Sequence, residues 1–426
     1  MYMTKLSSIA DYVTDKISSN DIALREYVTT DCILQNKKGR EIATNLPPQS
    51  CCLTRYQHGD VLIANIRPYL KKVWFADIDG GASSDVLVFR VKEGHSPSFL
   101  YAVLLQDSFF DYVMQGAKGS KMPRGDKEQI LRYEMPTLSC SEESIGTLFL
   151  NLDKKIRLNE QINQNLEAMA KQLYDYWFVQ FDFPNEEGKP YKSSGGKMVW
   201  NEKLKREIPS CFNIANMEKL CKFRNGINYS KDETGNDFQI VNVRNISSSK
   251  ILLDGEDFDT ITVPMTKAEN YLLKSEDIII ARSGCPGSTR LLISPTNTLF
   301  CGFIICCTPH NSSMRNYLTY CLKQLEGTNA TTSGGSILQN VSQDTLKGLL
   351  IVVPNKQIID KFNETIELIF TRILNCLKET KALTKQRDEL LPLLMNGQVS
   401  VNSDLSVYKK RRGKVPSSIL NDVSDI

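Results

Sequence analysis

One long amphipathic helix constrains the fold of this chain more than any other sequence feature. Apolar residues recur at alternating spacings of three and four, which places them in one stripe along a helix and is typical of a coiled-coil seam. The stripe consists of Ile145, Leu148, Leu152, Ile162, Leu166, Met169, Leu173 and Tyr176. Lys155 and Asn159 fall on the same stripe and interrupt it. The pattern therefore predicts a helix pair that is not a uniform zipper.

The predicted helix has signals at both ends. Ser139-Cys140-Ser141-Glu142 is a capping-box pattern, in which serine and glutamate satisfy exposed backbone N–H groups. Phe183-Pro184 is expected to end the helix, because proline cannot donate the next helical hydrogen bond. From Ser141 to Phe178 the helix would be roughly 57 Å long at about 1.5 Å per residue. A single small domain does not need such a helix, so we expect it to connect domains.

A second stretch near the C-terminus repeats the first. It begins after Pro354-Asn355 and ends at Asn396-Gly397, a common helix-terminating pair. Its apolar positions are Phe362, Ile366, Ile369, Ile373, Leu377, Leu383, Leu390 and Leu394. Ile145 aligns with Phe362, and the aligned residues are 217 positions apart. The chain therefore contains two related long helices.

The segments before the two helices repeat at the same offset. Gly59–Ala64 and Glu276–Ala281 are strand-like apolar runs that lie 217 residues apart. The other repeated elements are a helix (98–113 and 316–325), a glycine-rich loop (115–121 and 333–336) and a strand leading into the long helix (133–136 and 351–354). Similar elements in the same order at a near-constant offset indicate a tandem duplication.

The predicted fold class is α+β, with two tandem globular α/β domains separated by two long antiparallel coiled-coil helices and related by a pseudo-two-fold repeat. The predicted segments are a first domain (1–138), a helical spacer (139–183), a polar linker (184–204), a second domain (205–354), a C-terminal helical spacer (355–397) and a mobile tail (398–426) with a basic run at Lys409–Arg412. If the helices pair, the domains lie at opposite ends of the pair. That arrangement suits a bipartite target, and duplex DNA is one such target.

Composition limits the remaining possibilities. A chain of 426 residues exceeds the usual limit of one hydrophobic core. The net charge of +3 is too small for a global field to drive binding to nucleic acid, so any such surface must be local. The 12 cysteines contain no C-x-x-C pair, and no apolar run reaches about 18 residues. We therefore expect a cytoplasmic chain with reduced thiols and no membrane partner.

The helical motifs resemble a known family. The segment 165–184, NLEAMAKQLYDYWFVQFDFP, closely resembles the central helical region of specificity subunits of type I restriction–modification enzymes. Segment 386–397, QRDELLPLLMNG, is similar to the C-terminal helical ending of that family. The strand-turn segments Ile66–Leu70 and Ala281–Gly284 also resemble parts of its two target-recognition domains. The resemblance extends to about residue 401.

The resemblance implies a non-catalytic subunit that recognises double-stranded DNA. Each recognition domain would bind one half of a split site, and the helices would set the gap. Such subunits dock two methyltransferase subunits and, in the full complex, two ATP-driven restriction and translocase subunits. The family places S-adenosylmethionine, ATP and Mg²⁺ on those partners, which methylate adenine N6 after flipping the base. This chain itself is expected to hold no cofactor and no metal.

The residues also argue against catalysis in this chain. An adenine methyltransferase needs an Asn/Asp-Pro-Pro-aromatic motif, and the nearest string, Asn45–Gln49, has the wrong spacing and lacks the aromatic residue. Gly196-Lys197 lacks the upstream glycine and following Ser or Thr of a P-loop. The three histidines are far apart and form no metal-binding H-E-x-x-H motif. Duplication without a repeated His, Glu or Asp cluster disfavours an unrecognised enzyme.

The candidate DNA contacts follow from the chemistry of recognition. Phosphates are bound by Lys and Arg on loops, whereas Arg favours guanine and Asn or Gln favours adenine in the major groove. The candidates are Arg67, Lys71, Lys72, Lys118, Lys121 and Arg124 in the first domain, and Arg224, Asn228, Arg244, Asn245, Arg282, Ser283 and Arg290 in the second. The alternative for each basic residue is a solvated surface charge.

Four aromatic residues carry two interpretations each. Tyr69 and Tyr229 are candidates for stacking on DNA or wedging into it, or for a place at the edge of a core. Trp177 and Phe178 are candidates for docking the methyltransferase subunits, or for burial where the helix meets a domain. A different function also stays open, namely a two-headed scaffold that spaces protein partners without binding DNA. Such a scaffold would present recognition surfaces without positive loops.

Overall fold

The computed structural model describes residues 3–136, 141–230, 232–247, 250–255, 257–326 and 341–400. The chain divides into unit 1, which comprises Met1–Glu160 and Leu377–Ile426, and unit 2, which comprises Gln161–Cys376. The mixed α/β fold expected from the sequence is confirmed in both. Three predicted features, Ser139-Cys140, the loop 333–336 and the basic run Lys409–Arg412, lie outside the described residues.

Unit 1 begins with short strands and helices. Its strands are β1 (Met3–Lys5), β2 (Ala10–Tyr12), β3 (Lys16–Ser18), β4 (Tyr27–Val28), β5 (Cys52–Tyr56), β6 (Val61–Ala64), β7 (Val73–Phe75), β8 (Gly80–Ala82), β9 (Val86–Val91) and β10 (Glu134–Pro136). Its short helices are α1 (Leu6–Ile9), α2 (Pro97–Leu104), α3 (Asp107–Gln115) and α4 (Lys127–Leu131). One four-stranded sheet has the order β2-β9-β6-β7, another has the order β3-β5-β8-β4, and β1 pairs with β10 in a two-stranded sheet.

Unit 2 contains a larger set of strands. They are β11 (Met198–Asn201), β12 (Arg206–Pro209), β13 (Asn213–Asn216), β14 (Cys221–Asn225), β15 (Asn236–Val241), β16 (Leu252–Leu253), β17 (Asp259–Val263), β18 (Ile278–Ala281), β19 (Thr289–Leu292), β20 (Thr298–Phe300), β21 (Ile304–Pro309) and β22 (Leu350–Val353). The short helices are α6 (Val243–Ile246), α7 (Met265–Ala268), α8 (Arg315–Lys323) and α9 (Gln343–Lys347). The main sheet has the order β14-β21-β18-β19-β16, and a second sheet has the order β17-β15-β20.

The two main sheets share a topology. In unit 1 the central strand β6 pairs antiparallel with β9 and β7, and in unit 2 the central strand β18 pairs antiparallel with β21 and β19. All residues of β6 and β18 are buried. A strand that is buried on both faces has a continuous apolar sequence instead of an alternating one. This explains why these two strands carry the strongest repeat in the sequence.

Two long helices complete the units, α5 (Glu142–Tyr174) and α10 (Lys356–Met395). Within unit 1, Asn159 Nδ2 donates to Glu379 Oε2 at 2.8 Å, and Arg387 Nη1 lies 3.8 Å from Asp153 Oδ1. Later residues of α5 thus meet earlier residues of α10, so these segments run antiparallel. Lys155, which also interrupts the apolar stripe, lies 3.4 Å from the same Glu379 carboxylate. The interruptions are therefore polar contacts between the helices.

The end of α5 differs from the prediction that Phe183-Pro184 stops it. A π-helical turn at Asp175–Val179 follows the helix, and Phe181 then adopts a left-handed conformation with φ of 66°. Asp182 N–H donates back to Tyr176 O at 3.0 Å, as in a helix-terminating motif. Burial of the Phe181 ring under the Arg206 guanidinium holds this unusual conformation. Tertiary packing, and not the proline, ends the helix.

The polar segment 184–204 contains more structure than a linker. Strand β11 lies in it and pairs with β12, and Ser193 donates through both its N–H and its hydroxyl to the Asp182 carboxylate. The Phe183 ring stacks on Tyr191 and on Phe212, with centroids 4.6 and 4.7 Å apart. Glycine and serine here form turns of a folded segment.

Helix α5 packs very closely on α2 at Gly146. A Cβ atom placed on Gly146 would lie 2.3 Å from Phe99 N and 2.3 Å from Ser98 C, which are backbone atoms that cannot rotate away. The contact is anchored next to it, because Ser96 Oγ donates to Glu143 Oε2 at 2.6 Å. Only glycine allows this approach of the two helices.

We therefore predict that Gly146→Ala destabilises the protein. The cost should be about 1–3 kcal/mol, as for other overpacked sites, despite the better helix propensity of alanine. The matched control is Gly348→Ala, because Gly348 has a φ of −72° and its nearest neighbour would be 3.4 Å from the new Cβ. Urea unfolding of the three proteins measures the effect. Equal stability of Gly146→Ala and the parent protein would contradict the close-packing argument.

Candidate nucleic-acid interface

In unit 1 a rigid turn follows the central strand β6. Pro68–Leu70 forms a single 3-10 turn, and Arg67 and Lys71 on either side have φ of 52° and 49°. The carbonyls of Leu70 and Lys71 accept hydrogen bonds from the N–H groups of Asn36 and Lys37, both at 2.9 Å. Non-glycine residues adopt positive φ only where the surroundings impose it. The turn is therefore held in one conformation.

This turn joins a second loop to form one surface. Arg67 N–H donates to Pro123 O at 2.8 Å, and Arg124 forms isolated β-bridges with Ile66 and Lys118. We call the exposed residues here the unit 1 loop surface, namely Arg67, Tyr69, Lys118, Lys121, Met122 and Arg124. The structure thus brings together four of the six basic candidates of the first domain.

The cations of the unit 1 loop surface are available to a ligand. Among the described residues, the side chains of Arg67 and Lys121 have no hydrogen-bond or ion-pair partner. Lys118 and Arg124 form ion pairs of 3.1 Å with Asp126 and Asp85. Such exposed pairs contribute little to stability, so a phosphate can replace the carboxylate.

Lys71 and Lys72 are less exposed, and both side chains are engaged within unit 1. Lys71 Nζ lies 2.8 Å from Asp107 Oδ1, and Lys72 Nζ donates to Thr30 O at 2.5 Å. Partial desolvation of the Asp107 carboxyl group favours its neutral form, but hydrogen bonds from Lys37 and Lys71 outweigh this and lower its pKa. Both lysines therefore hold loops of unit 1 together.

In unit 2 a comparable surface follows the central strand β18. Arg282 comes directly after β18, is exposed, and donates its N–H to Phe303 O at 2.8 Å. Phe303 belongs to a turn from Cys301 to Ile304, in which Ile304 N–H donates to Cys301 O at 2.9 Å. A Cβ atom on Gly302 would lie 2.2 Å from Asn228 Oδ1, so Asn228 is adjacent to this turn.

We call Asn228, Tyr229, Arg282 and Phe303 the unit 2 loop surface. All four residues are exposed. No hydrogen bond or ion pair engages their side chains within the part of the chain that the structure describes. An amide, a guanidinium and two aromatic rings are the groups that contact base edges, phosphates and base faces.

Arg224 and Arg290 are structural, contrary to the prediction. Arg224 donates to Asn270 O and Leu272 O, each at 2.8 Å, and to Asp277 Oδ2 at 2.7 Å. Arg290 is only 2% exposed, donates to Thr289 O at 2.6 Å and forms an ion pair with Glu326. Since each guanidinium is committed inside unit 2, neither is a candidate DNA contact.

The other second-domain candidates are partly engaged. Asn245 uses both ends of its amide, since Oδ1 accepts from Asn242 N–H and Nδ2 donates to Asp257 O, each at 2.8 Å. Arg244 is exposed but forms an ion pair with Asp259. Ser283 is half-buried next to Arg282. Asn245 is therefore a structural residue, whereas Arg244 and Ser283 keep accessible polar atoms.

Trp177 and Phe178 are buried, so the predicted docking role is wrong for both side chains. They are 8% and 4% exposed. The Phe362 ring lies 5.9 Å from Trp177 and 5.0 Å from Phe178, and Tyr317 lies 4.8 Å from Phe178. They belong to an aromatic cluster that joins α5, α8 and α10 within unit 2.

Sequence reasoning missed the exposed apolar residues of the loop surfaces. The missed residues are Phe303, which is 62% exposed, and Met122, which is 50% exposed. Tyr69, already a candidate for contact with DNA, is 49% exposed rather than at the edge of a core. One signal was available for Phe303, because an aromatic residue directly after Cys301-Gly302 is unusual in a turn.

Two further properties of the described residues bear on function. No group of three or more His, Cys, Asp or Glu side chains among them could hold a metal ion. None of the helices within the described ranges combines the length and the apolar character needed to cross a membrane.

Comparisons with known proteins point to one class. No protein-family model matches the chain. It is 23% identical over 395 residues to the type I restriction enzyme MjaIX specificity subunit of Methanocaldococcus jannaschii, covering 90% of this chain and 86% of the relative. It is 25% identical over 459 residues to the type I restriction enzyme HindI specificity subunit of Haemophilus influenzae, covering 92% of this chain and 98% of the relative.

A solved structure agrees in fold. The S subunit of a type I restriction–modification system from M. genitalium matches with a TM-score of 0.57 and 15% identity, covering 92% of this chain and 96% of that chain. The resemblance expected from the helical motifs is confirmed: over about nine tenths of its length, this chain is similar to the specificity subunits of type I restriction–modification enzymes.

Proposed function

We propose that this chain is the DNA-recognition subunit of a type I restriction–modification complex, with each unit binding one half of a bipartite DNA site. One observation carries the proposal beyond the family resemblance. In each unit, an exposed arginine without a side-chain partner among the described residues follows the buried central strand, Arg67 after β6 and Arg282 after β18. A rigid strand that presents a cation on a loop is a common way to position a DNA contact.

The competing hypothesis is a scaffold that spaces protein partners. It predicts recognition surfaces without positive loops. The unit 1 loop surface carries Arg67, Lys118, Lys121 and Arg124, and the unit 2 loop surface carries Arg282 beside an asparagine. These groups support DNA as the ligand.

The proposed role of α5 and α10 is to set the gap between the half-sites. The antiparallel contacts Asn159–Glu379 and Asp153–Arg387 in unit 1 support pairing of the two helices. The helices are also proposed to dock two methyltransferase subunits and, in the full complex, two restriction and translocase subunits. With Trp177 and Phe178 buried, better docking candidates are the exposed side chains of Met169 in α5, Tyr176 in the π-helical turn and Leu368 in α10. Met169 and Tyr176 were expected on the apolar stripe, but their exposure leaves them open to a partner.

This proposal assigns all catalysis to the partners. S-adenosylmethionine, ATP and Mg²⁺ would be bound there, and this chain would supply position and sequence preference. Its contribution to the reaction is to hold the target adenine of each half-site within reach of a methyltransferase subunit.

The first test is the methylation pattern. We expect that co-expression with the cognate methyltransferase subunit in a host without that activity produces adenine methylation at one bipartite sequence with a fixed internal gap. Mapping of modified adenines in the host genome measures it, and the methyltransferase subunit alone is the control. A catalytically competent complex that methylates without sequence preference would overturn the proposal.

The second test concerns the two exposed arginines. Arg67→Ala and Arg282→Ala should each weaken binding of the complex to its DNA site. If the arginine contacts a phosphate, the slope of log K against log salt concentration should fall by roughly 1, because one fewer counterion is released. Melting temperatures should not change, since both residues are exposed.

Two controls separate DNA contact from fold. Lys203→Ala removes an exposed lysine from the turn between β11 and β12 and should leave the salt slope unchanged. Arg290→Ala should instead lower the melting temperature, because breaking a buried ion pair costs about 3–5 kcal/mol. If both Arg67→Ala and Arg282→Ala keep the affinity of the parent complex and the same slope of log K against log salt concentration, these contacts are ruled out.

The third test concerns the spacer helices. We delete seven residues from each helix, 160–166 from α5 and 372–378 from α10. This removes about two turns, and the rest of each helix rotates about its axis by only about 20°. The first deletion begins directly after Asn159 and the second ends directly before Glu379, so the contact between these two residues can be kept. At about 1.5 Å per residue the helices shorten by roughly 10 Å, equivalent to about three base pairs at about 3.4 Å each.

The expected result is a methylated sequence with the same half-sites and a gap shorter by about three base pairs. The control variant lacks only 160–166 and leaves the helices unequal, so it should lose site-specific methylation. An unchanged gap in a folded, active double deletion would remove the spacer role.

A further inference from the structure

Among the described residues, no packing contact explains a large apolar side chain at Phe303. It lies in the turn Cys301–Ile304 and is 62% exposed, whereas Gly, Asn, Asp and Ser are the residues that favour such turns. A large apolar side chain in water contributes nothing to the core of unit 2. Within the described residues, no ring partner accompanies it.

The turn that carries Phe303 is rigid. It is closed by the hydrogen bond from Ile304 N–H to Cys301 O at 2.9 Å, and the Phe303 carbonyl accepts the Arg282 N–H at 2.8 Å. Ile227 N–H donates to Phe300 O at 2.8 Å just before the turn. Because the turn is already ordered, a ring on it loses little conformational entropy on binding, and less of its contact energy is offset.

The neighbours of Phe303 match one kind of ligand. Arg282 is joined to it by the backbone hydrogen bond, and Asn228 packs on Gly302. The guanidinium suits a phosphate, and the amide suits the edge of a base. A cation for the phosphate and an amide for the base edge, both next to an exposed ring, are together the groups that contact a nucleic acid.

Unit 1 has a similar arrangement. Arg67 donates its N–H to Pro123 O at 2.8 Å, just as Arg282 donates to Phe303 O. Two exposed apolar side chains accompany Arg67, namely Tyr69 on the rigid turn and Met122 next to Pro123. An arginine after the central strand, tied by its N–H to a second loop and flanked by an exposed apolar side chain, thus occurs in both units.

We propose that Phe303 is a wedge that inserts between two stacked base pairs of the half-site bound by unit 2, and that Tyr69 has the same role in unit 1. This inference rests on the proposed function. Insertion of an apolar side chain at a base step partly unstacks it and bends the duplex, while nearby cations hold the backbone. Pyrimidine–purine steps such as TA and CA deform most easily, so the wedge would favour such a step without any hydrogen bond to it.

The experiment uses the complex of the full chain with its methyltransferase subunit and a duplex that contains the methylated site. Phe303→Ala removes the wedge, and Phe303→Leu keeps an apolar side chain that can still insert. The matched control is Trp200→Ala, because Trp200 is an aromatic residue of nearly equal exposure, 59%, on the separate β11-β12 sheet. Melting temperatures are measured for all variants, and Phe303→Gln replaces Phe303→Ala if the latter does not fold.

Two quantities are measured. The first is affinity, and we expect Phe303→Ala to bind about tenfold more weakly, since loss of one aromatic stacking contact is worth roughly that factor. Phe303→Leu should lose less, and Trp200→Ala should bind like the parent complex. The second is the fluorescence of 2-aminopurine placed at each purine of the half-site in turn, which rises where a base is unstacked.

The fluorescence separates the wedge from base flipping. Flipping of the methylated adenine should brighten that position in every variant, because it depends on the methyltransferase subunit. A second bright position should appear with the parent, Phe303→Leu and Trp200→Ala complexes and disappear with Phe303→Ala. If Phe303→Ala keeps both the parent affinity and the parent fluorescence pattern, the wedge is wrong while the proposed function stands. If the parent complex shows no preference among duplexes, the proposed function itself is wrong, and the wedge is rejected with it.

Discussion

The carboxylate of Asp153 is the contact on which the architecture of unit 1 depends. It is 1% exposed, accepts the Tyr101 hydroxyl at 2.8 Å, and pairs with Arg157 and Arg387. One charge thereby links α2, α5 and α10. A carboxylate buried at this depth is tolerated only when hydrogen bonds and opposite charges compensate for lost water, so all three elements must be present at once. Burial, reinforced by the nearby carboxylate, also raises the pKa of Tyr101, which keeps its hydroxyl a hydrogen-bond donor.

Unit 2 meets the same requirement with different chemistry. Its helix segments are joined by an aromatic cluster in which Tyr174, Phe178, Tyr317 and Phe362 pack together. A polar contact supplements it, since Asn316 Nδ2 donates to Glu367 Oε1 at 2.8 Å. The duplicated topology therefore survives although the contacts that hold it have changed. Both apolar packing and a buried charge with paired partners can therefore hold a helix against a domain that contains a sheet.

Much of the fold could be predicted from sequence because its signals are local. The periodicity of the helices, the unbroken apolar runs of the central strands and the cap residue Asn355, whose side chain accepts from Ile358 N–H at 3.0 Å, act within a few residues. The partners of individual side chains could not be predicted in the same way. Arg224 was a candidate DNA contact because it is basic, but it reaches Asp277, 53 residues away in the chain. Trp177 and Phe178 are similar, because their partners Tyr317 and Phe362 lie far along the sequence.

The contrast between Arg282 and Arg290 shows how one fold can keep its shape while its ligand preference changes. They lie eight residues apart, but Arg290 ends in a buried pair with Glu326, whereas the Arg282 side chain meets no carboxylate among the described residues. Among the described contacts of Arg282, the fold uses its backbone, whose N–H donates to Phe303 O and whose carbonyl accepts from Val341 N–H. Since a backbone N–H does not depend on the side chain, substitutions at Arg282 alter the charge of the surface and leave the turn in place. The same holds for Arg67 and Pro123 in unit 1. The charge and shape of these loop surfaces can therefore change at little cost to stability, because the central strands and the helix contacts carry the fold.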